Sequence, residues 1–244
     1  MISKKPEAII VDAIVPCFNE GPRVGRVLEV LSSSKHLNKV IFVDDGSMDN
    51  SVEEAKKYPG VKIICLKKNK GKGQAVKEGL KHVESEVIFL CDADLAGLKE
   101  KNIQEMIKTY QKHPNALVVG LRQKINSKTG HWLRKNLLPL IAGERILKKS
   151  DLKTILDNPL SYEYGLEPYM NYYYRRQSRP IIKILLVGVN HIPKTRKESY
   201  GLKPLISEGI NITQRYLSVY AKELPKDIYN SMKTSIFQTK EKSD

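Results

Sequence analysis

Residues 87–95 of the chain read VIFLCDADL, an apolar run of strand length that ends in two acidic residues. Side chains alternate along an extended segment, so Asp92 and Asp94 should point to the same side. Two carboxylates at the end of a strand suit a hard divalent cation, because Mg²⁺ and Mn²⁺ prefer oxygen ligands. Paired acids are common near strand ends, so the meaning of this pair depends on the sequence around it.

The segments around this stretch alternate between strand-like and helix-like patterns. Strand-like runs cover residues 8–15, 40–43, 61–66, 87–91 and 116–119, and helix-like segments cover 22–32, 50–58, 73–83 and 103–112. This alternation predicts an α/β fold with a mostly parallel sheet flanked by helices. Ligands bind such sheets at the carboxyl ends of the strands. The polar sequences PCFNE, DDGSMD and DAD follow the first, second and fourth strands, so we expect a site at that edge.

The composition predicts a chain with a sizeable core and an anionic partner. Its 244 residues are 41% apolar and 28% charged, which excludes a disordered polymer and a small disulfide-stapled fold. The 42 Lys and Arg residues exceed the 27 Asp and Glu residues by 15, which favours nucleic acid, an anionic lipid or a phosphorylated small molecule. Cys17, Cys65 and Cys91 lie in apolar runs without a CxxC pair, so we expect buried, reduced thiols.

The sequence shows neither a signal peptide nor an apolar run long enough to span a membrane, which predicts a cytoplasmic protein. The second half is less regular, with helix-like segments at 165–176 and 202–224 and a strand-like segment at 180–189. No repeat and no clear linker is found. We therefore expect a single domain over residues 1–238, with halves at 8–125 and 126–238 and a flexible tail at 239–244.

Two further loops carry residue types that bind ligands. NKGKG at residues 69–73 places glycines on both sides of Lys72 at a helix entrance, where the N-terminus favours an anion. An ordinary surface turn explains this spacing equally well. At the end of the second strand, one of the acids Asp44 and Asp45 could accept hydrogen bonds from a base or ribose, and Gly46 permits a tight turn. The alternative is structural, with Ser47 or Asp49 capping the following helix.

In this order, PCFNE, VDDGSMD, NKGKGQA and DADL resemble the motifs of family 2 glycosyltransferases with the GT-A fold, over about residues 8–125. The resemblance implies a Rossmann-like sheet and a nucleotide-diphosphate-sugar donor bound with Mg²⁺ or Mn²⁺. It implies that Asp94 is the main metal ligand and that Asp92 reaches the ribose or the metal. The implied donor contacts are Pro16, Asn19, Glu20, Asp45, Gly46, Ser47, Lys72, Gly73, Asp92 and Ala93.

The second half resembles glucosyl-3-phosphoglycerate synthase-like enzymes. AGERILKKS is similar to their SGxRAL segment, with Ala142 in place of a small hydroxyl residue, and YGLE is similar to their YGxE. VGVNH is similar to the segment whose histidine completes the metal site. The residues implied are Arg122, Gly143 and Arg145 for the acceptor, Glu167 and Asp94 for catalysis, and His191 for the metal.

These residues predict metal-assisted transfer of one sugar, because the QxxRW motif of processive synthases is absent from the sequence. Glu167 is the leading candidate for the general base of an inverting enzyme, with Asp151 second; in a retaining enzyme Glu167 would position the sugar. Basic residues after the fifth strand favour an anionic acceptor, either phosphoglycerate or a polyprenyl phosphate at the inner face of the membrane. They are Arg122, Lys124, Lys128, Arg134 and Lys135, with Arg145, Lys148 and Lys149 nearby in sequence.

Two other classes of protein are the alternatives. A sugar-phosphate nucleotidyltransferase usually carries a GxGxR loop after the first strand, where this chain has PCFNE. A non-catalytic, basic nucleotide- or nucleic-acid-binding protein would account for the charge, but no nucleic-acid recognition motif is found, so no nucleic acid partner is expected. The sequence leaves peripheral membrane contact and the oligomeric state open.

Overall fold

The fold is built on one seven-stranded sheet. The computed structural model describes residues 9–122, 142–162 and 165–191. The strands are β1 (Val11–Cys17), β2 (Lys39–Asp44), β3 (Val61–Cys65), β4 (Val87–Leu90), β6 (Leu117–Arg122), β7 (Arg145–Lys148) and β8 (Ile181–Leu186). Their order across the sheet is β3-β2-β1-β4-β7-β6-β8. Strand β7 runs antiparallel to β4 and β6, and the other described neighbours are parallel.

Helices pack on both faces of this sheet because its strands are apolar on both sides. One face holds α1 (Gly21–Ser32), α2 (Ser51–Ala55) and α4 (Glu100–Lys112). The other holds α3 (Lys72–Leu80), α5 (Lys149–Leu156) and α6 (Leu166–Arg176). Neighbouring strand residues separate between the faces: Val15 packs under α1, whereas Ile14 packs under α3. The predicted α/β fold, a mostly parallel sheet flanked by helices in a single domain, is confirmed.

Several elements depart from the sequence prediction. Strand β7 and helix α5 follow one another directly and were not predicted, nor was the short ladder between β5 (Leu95–Ala96) and β9 (Asn190–His191). The strand expected over 180–189 ends at Leu186, because Gly188 turns the chain with a φ of 85°. The predicted helix at 202–224 and the tail at 239–244 lie outside the described residues.

The cysteine prediction is partly wrong. Cys17 and Cys91 are buried, and burial raises the pKa of the Cys17 thiol to about 12. Cys65 is exposed because it lies at the end of β3, the edge strand of the sheet, where no further strand covers it. All three cysteines are free thiols. Within the described ranges, no helix combines the length and the apolar run needed to cross a membrane.

Asp151 is part of a structural network rather than of the carboxyl edge. Its two oxygens accept from Nη1 and Nη2 of Arg179, each at 2.8 Å, and Oδ2 also accepts from Tyr174 Oη at 2.7 Å. The Arg179 guanidinium lies over the Tyr174 ring, 4.4 Å from its centroid. These contacts tie α5 and α6 to the chain that enters β8. The suggestion that Asp151 serves as a second candidate base is therefore not supported.

Replacing Asp151 with asparagine should lower the free energy of unfolding by about 2 kcal/mol, because the Arg179 charge loses its partner. Burial alone would raise the pKa of Asp151, but hydrogen bonds from Arg179 and Tyr174 outweigh it and hold the pKa below its ordinary value. Its contribution is therefore present above the unfolded pKa of about 3.9 and is lost as the pH falls through the folded pKa. Urea unfolding between neutral and acid pH measures this contribution. The free energy of unfolding should fall less steeply with decreasing pH in the variant than in the wild type.

The exposed Asp157 provides the matched control, since Asp157→Asn makes the same chemical change at the end of α5. We expect it to alter stability by less than about 0.5 kcal/mol. Equal effects of the two variants would contradict the assignment of Asp151 as a structural anchor.

Candidate active site

The loops that follow β1 and β2 are joined by hydrogen bonds at the carboxyl edge of the sheet. The Asn19 backbone N–H donates to Ser47 Oγ at 2.8 Å, and Asn19 Oδ1 accepts from the Met48 N–H at 2.9 Å. The Glu20 N–H donates to Ser51 Oγ at 2.9 Å. Asn19 has a φ of 54°, a left-handed conformation that asparagine tolerates better than most residues. Asn19, Glu20 and Ser47, all predicted donor contacts, therefore lie together.

Asp45 fastens the glycine-rich loop to the end of β2. Its Oδ1 accepts from the Lys70 N–H and its Oδ2 from the Gly71 N–H, both at 2.8 Å. Burial raises the pKa of Asp45 despite these two donors. Gly46 has a φ of 75°, and a Cβ placed there would lie 2.7 Å from the backbone of Lys68. In this structure Asp45 binds backbone amides, so its contact with a base or ribose stays a prediction.

Gly46→Ala should destabilise the protein by about 2 kcal/mol or more, because the added methyl group meets backbone and the φ is left-handed. Gly60→Ala is the matched control: its φ is 90°, yet nothing lies within 4 Å of an added Cβ. The control should lose only about 1 kcal/mol, the conformational part of the cost. Thermal unfolding of both variants measures the difference, and equal losses would contradict the close approach.

Five charged residues form a continuous chain of ion pairs at the end of β4, which we call the charge chain: Glu167, Lys72, Asp92, Arg122 and Glu144. Lys72 Nζ donates to Asp92 Oδ1 and to Glu167 Oε1, each at 2.5 Å. Arg122 Nη2 donates to Asp92 Oδ2 and to Glu144 Oε1, the latter at 2.8 Å. The charges alternate along the chain. The structure thus brings together Lys72, Asp92 and Glu167, which the sequence predicted as parts of one site.

The charge chain favours the charged forms of Asp92 and Lys72. Burial alone would raise the pKa of Asp92, but the Lys72 and Arg122 charges outweigh it and hold the pKa well below its ordinary value. Burial alone would lower the pKa of Lys72, but Asp92 and Glu167 raise it above its ordinary value. Burial raises the pKa of Glu144, an effect that Arg122 opposes. Two cations, Lys72 and Arg122, therefore flank the Asp92 carboxylate.

Close packing explains why glycine occupies two of the predicted contact positions, 73 and 143. A Cβ on Gly143 would lie 2.2 Å from both carboxylate oxygens of Asp92, so this residue forms the surface behind Asp92. A Cβ on Gly73 would lie 2.4 Å from the Ser161 carbonyl oxygen, in the short 3-10 turn Pro159–Ser161. Neither glycine can be replaced by a larger residue without a shift of its neighbours. Their contacts with acceptor and donor stay predictions.

Asp94 and His191 are brought near one another by the backbone. The antiparallel pairing of β5 with β9 places Leu95 opposite His191, so Asp94 lies one residue from that pair. Asp94 is half-buried. Burial alone would lower the pKa of Arg122, but Glu144, Asp92 and, to a smaller extent, Asp94 raise it. Among the side chains that the structure describes, no group of three or more His, Cys, Asp or Glu could hold a metal ion. Any cation here would need ligands beyond those side chains.

Pro16 and Ala93 are placed by the strands. Pro16 of β1 lies opposite Val43 of β2, and it follows the β1 residues that pair with β4. The N–H that proline lacks is therefore not needed for a hydrogen bond to β4. The Ala93 side chain is buried in the core. A ligand could therefore contact Ala93 only through its backbone.

The acceptor prediction is wrong for the second arginine. Arg145 is fully buried, and its guanidinium donates to the Ala142 carbonyl and to Asn171 Oδ1, so it presents no surface to an acceptor. Lys148 lies opposite Val87, at the other end of β4 from the acidic pair. Arg122 does reach the site, but there it holds two carboxylates. The other predicted cations, Lys124, Lys128, Arg134 and Lys135, lie outside the described residues.

Sequence reasoning missed Glu144. It is fully buried and lies 22 positions from its partner Arg122. The sole signal in the sequence is an acidic residue next to an arginine within AGERIL, which does not distinguish a buried carboxylate from a surface one.

The acidic residues, the cations beside Asp92 and the two joined loops all lie at the carboxyl edge of a doubly covered sheet, the edge where α/β sheets bind ligands. The sequence profile of Glycosyl transferase family 2 matches residues 12–178, and the chain belongs to this family. Family membership favours sugar transfer over the nucleotidyltransferase and binding-protein alternatives.

Relatives with curated names match about half of the chain. Dodecaprenyl-phosphate galacturonate synthase of Rhizobium johnstonii is 33% identical over 138 residues, which cover 53% of this chain and 40% of that protein. A dolichyl-phosphate beta-glucosyltransferase of Trichomonas vaginalis is 30% identical over 151 residues, covering 54% and 46%. The matches thus span less than half the length of these two relatives.

Solved structures share the GT-A fold. Glucosyl-3-phosphoglycerate synthase from Mycobacterium tuberculosis, in complex with Mn²⁺, UDP-glucose and glycerol 3-phosphate, superposes with a TM-score of 0.70. The match has 16% identity and covers 86% of this chain and 80% of that one. A complex of the same enzyme with Mg²⁺ and UDP also gives a TM-score of 0.70.

Proposed function

We propose that this chain transfers one sugar from a nucleotide-diphosphate sugar to a phosphorylated acceptor, with a divalent cation as cofactor. The observation that carries the proposal is the charge chain, which sets Lys72 and Arg122 on either side of Asp92 at the edge where sheets of this type bind ligands. Two cations and an adjacent acid suit a diphosphate and its metal ion. The joined loops that contain Asn19 and Ser47 form a neighbouring wall for a nucleoside.

The residues at this edge fit Mg²⁺ or Mn²⁺. Both oxygens of Asp92 accept hydrogen bonds from cations, so Asp94 is the carboxylate that we assign to the metal. We assign His191 as the second ligand, because its backbone lies opposite Leu95. Mg²⁺ usually takes one or two carboxylates and completes its shell with water and substrate phosphates, so few protein ligands are enough. Asp92 then fixes the two cations instead of ligating the metal.

The proposed chemistry divides the work among these residues. A bound divalent cation would supply Lewis-acid stabilisation of the diphosphate oxygens. Lys72 is placed to add positive charge where the leaving group becomes negative, an effect strongest in a partly water-excluded site. In an inverting reaction Glu167 would accept the proton of an acceptor hydroxyl, or any proton left on an attacking phosphate oxygen; in a retaining reaction it would position the sugar. Its contact with Lys72 places it at the same site in either case.

The proposed acceptor carries a phosphate. The names of the two curated relatives contain a dodecaprenyl phosphate and a dolichyl phosphate, and the superposed enzyme acts on phosphoglycerate by its name. Each of these names therefore contains a phosphate group. Because the polyprenyl relatives have the higher identity, we place a polyprenyl phosphate first, which would bring the chain to the inner face of the membrane.

A thermal-shift panel of UDP-, GDP- and dTDP-sugars, each with and without Mn²⁺, tests the donor. Ligand at about 100 times its Kd adds roughly 2.7 kcal/mol, so one donor should raise the melting temperature by several degrees only when Mn²⁺ is present. Product formation is then measured with that donor and either a polyprenyl phosphate in vesicles or 3-phosphoglycerate in solution. A folded protein that responds to no donor would contradict the proposal. Release of pyrophosphate from UTP and a sugar phosphate would favour the nucleotidyltransferase instead.

A further inference from the structure

Glu144 is the last residue of the charge chain, and its carboxylate is fully buried. Both of its oxygens accept from Arg122: Nε lies 3.2 Å from each, and Nη2 lies 2.8 Å from Oε1. Burying a carboxylate is costly unless it is paired, and a buried ion pair adds little net stability even when its geometry is good. A role in positioning accounts better for a charge at this place than a role in stability.

The backbone around Glu144 is shaped to hold it. The Gly120 N–H of β6 donates to the Glu144 carbonyl at 2.8 Å. A Cβ on Gly120 would lie 3.1 Å from the Glu144 Cβ, so glycine leaves the space that Glu144 fills. Gly143, which immediately precedes Glu144, forms the surface behind the Asp92 carboxylate. Consecutive residues thus position the two carboxylates that Arg122 joins.

The two cations that hold Asp92 differ in how firmly they are fixed. Lys72 is a point charge on a flexible four-carbon stem, whereas Arg122 is a planar fork whose orientation is set by the contacts with Glu144. A donor diphosphate would compete with Asp92 for the mobile cation. If Lys72 turned towards that diphosphate, Arg122 would be the contact that keeps Asp92 in place.

We infer that Glu144 is a positioning residue: it fixes Arg122, and through Arg122 it fixes the orientation of Asp92 beside the donor. This inference rests on the proposed function and assigns a role to a residue that never touches the substrate. The relay runs from Glu144 to Arg122 Nε and Nη2, and from Nη2 to Asp92 Oδ2.

The test compares Glu144→Gln, Arg122→Gln and the double variant by calorimetric titration of UDP in the presence of Mn²⁺. At metal sites, mutation of a residue that orients a binding side chain through hydrogen bonds typically lowers affinity or activity 10–100-fold. By analogy, each single variant should weaken UDP binding by about tenfold. The double variant should bind UDP about as weakly as Arg122→Gln alone, because the relay is already broken. Glu54→Gln, on α2 and paired with Lys57, is the control and should leave binding unchanged.

Melting temperatures separate positioning from stability. The inference would be overturned if Glu144→Gln lowered the melting temperature while UDP affinity stayed at the wild-type value. It would also be overturned if the two tenfold losses of UDP affinity multiplied in the double variant. If Glu144→Gln does not fold, Arg122→Lys gives the same test, because lysine keeps the charge but lacks the fork. A wild-type protein that binds none of UDP, GDP and dTDP with Mn²⁺ would instead contradict the proposed function, and one that binds GDP or dTDP in place of UDP is tested in the same way with that diphosphate.

Discussion

Replacing Asp94 with asparagine is expected to lower the rate of sugar transfer by about 10³-fold, or roughly 4 kcal/mol of transition-state stabilisation. Asparagine keeps the size and one oxygen of the side chain but removes the negative charge that a divalent cation needs. Asp94 is half-buried at the edge of the sheet, so the fold should survive the change. The measurement is kcat with saturating donor and acceptor over a range of Mn²⁺ concentrations.

Asp157→Asn serves as the control for this experiment as well, because it makes the same change on the surface. It should leave kcat within about twofold, as surface substitutions away from a site usually do. Wild-type kcat and wild-type Mn²⁺ dependence in Asp94→Asn would exclude Asp94 as a metal ligand.

Replacing Lys72 with glutamine is expected to lower transfer by about 10²-fold, the loss typical of removing one group that stabilises developing charge. The variant also leaves Asp92 and Glu167 without the cation between them, so two negative groups would face the donor diphosphate. The loss should therefore appear in donor KM as well as in kcat. Because the pKa of Lys72 lies above its ordinary value, the residue stays charged through neutral and mildly basic pH.

Lys77→Gln is the matched control, since Lys77 lies on the same helix and contacts Leu156 and Asp157 away from the charge chain. We expect its kinetic constants to stay within about twofold of the wild type. A normal donor KM in Lys72→Gln would show that the lysine does not face the donor.

The carboxyl edge was predictable because the first, second and fourth strands are apolar runs that end abruptly in polar residues. The run 87–91 followed by two acids shows this most clearly, and the structure places Asp92 beside Lys72 from a different loop. Strand ends in a parallel sheet meet at one edge whatever the details of the loops between them. That geometric rule is why the loops of Lys72 and Asp92 could be expected at one edge, whereas Glu167 was expected there only from the resemblance of YGLE to a family motif.

The second half could not be read in the same way. Strand β7 has four residues, RILK, which are too few to show a hydrophobic period or to indicate the direction of the strand. Arg122 and Arg145 both looked suitable for an acceptor phosphate, yet they pair with buried groups whose positions only tertiary structure determines. Cys65 looked buried because its neighbours are apolar, but the edge position of β3 exposes it.

The pairing of residues 95 and 191 makes the acidic motif a product of the whole domain. A fragment that stopped before residue 142 would retain both aspartates but lack Gly143, Glu144, Glu167 and the strand that meets Leu95. We therefore do not expect such a fragment to bind nucleotide when it is fused to the acceptor-binding half of another protein. Chimeras that exchange acceptor specificity between relatives would have to keep these contacts between the first and second halves of the chain.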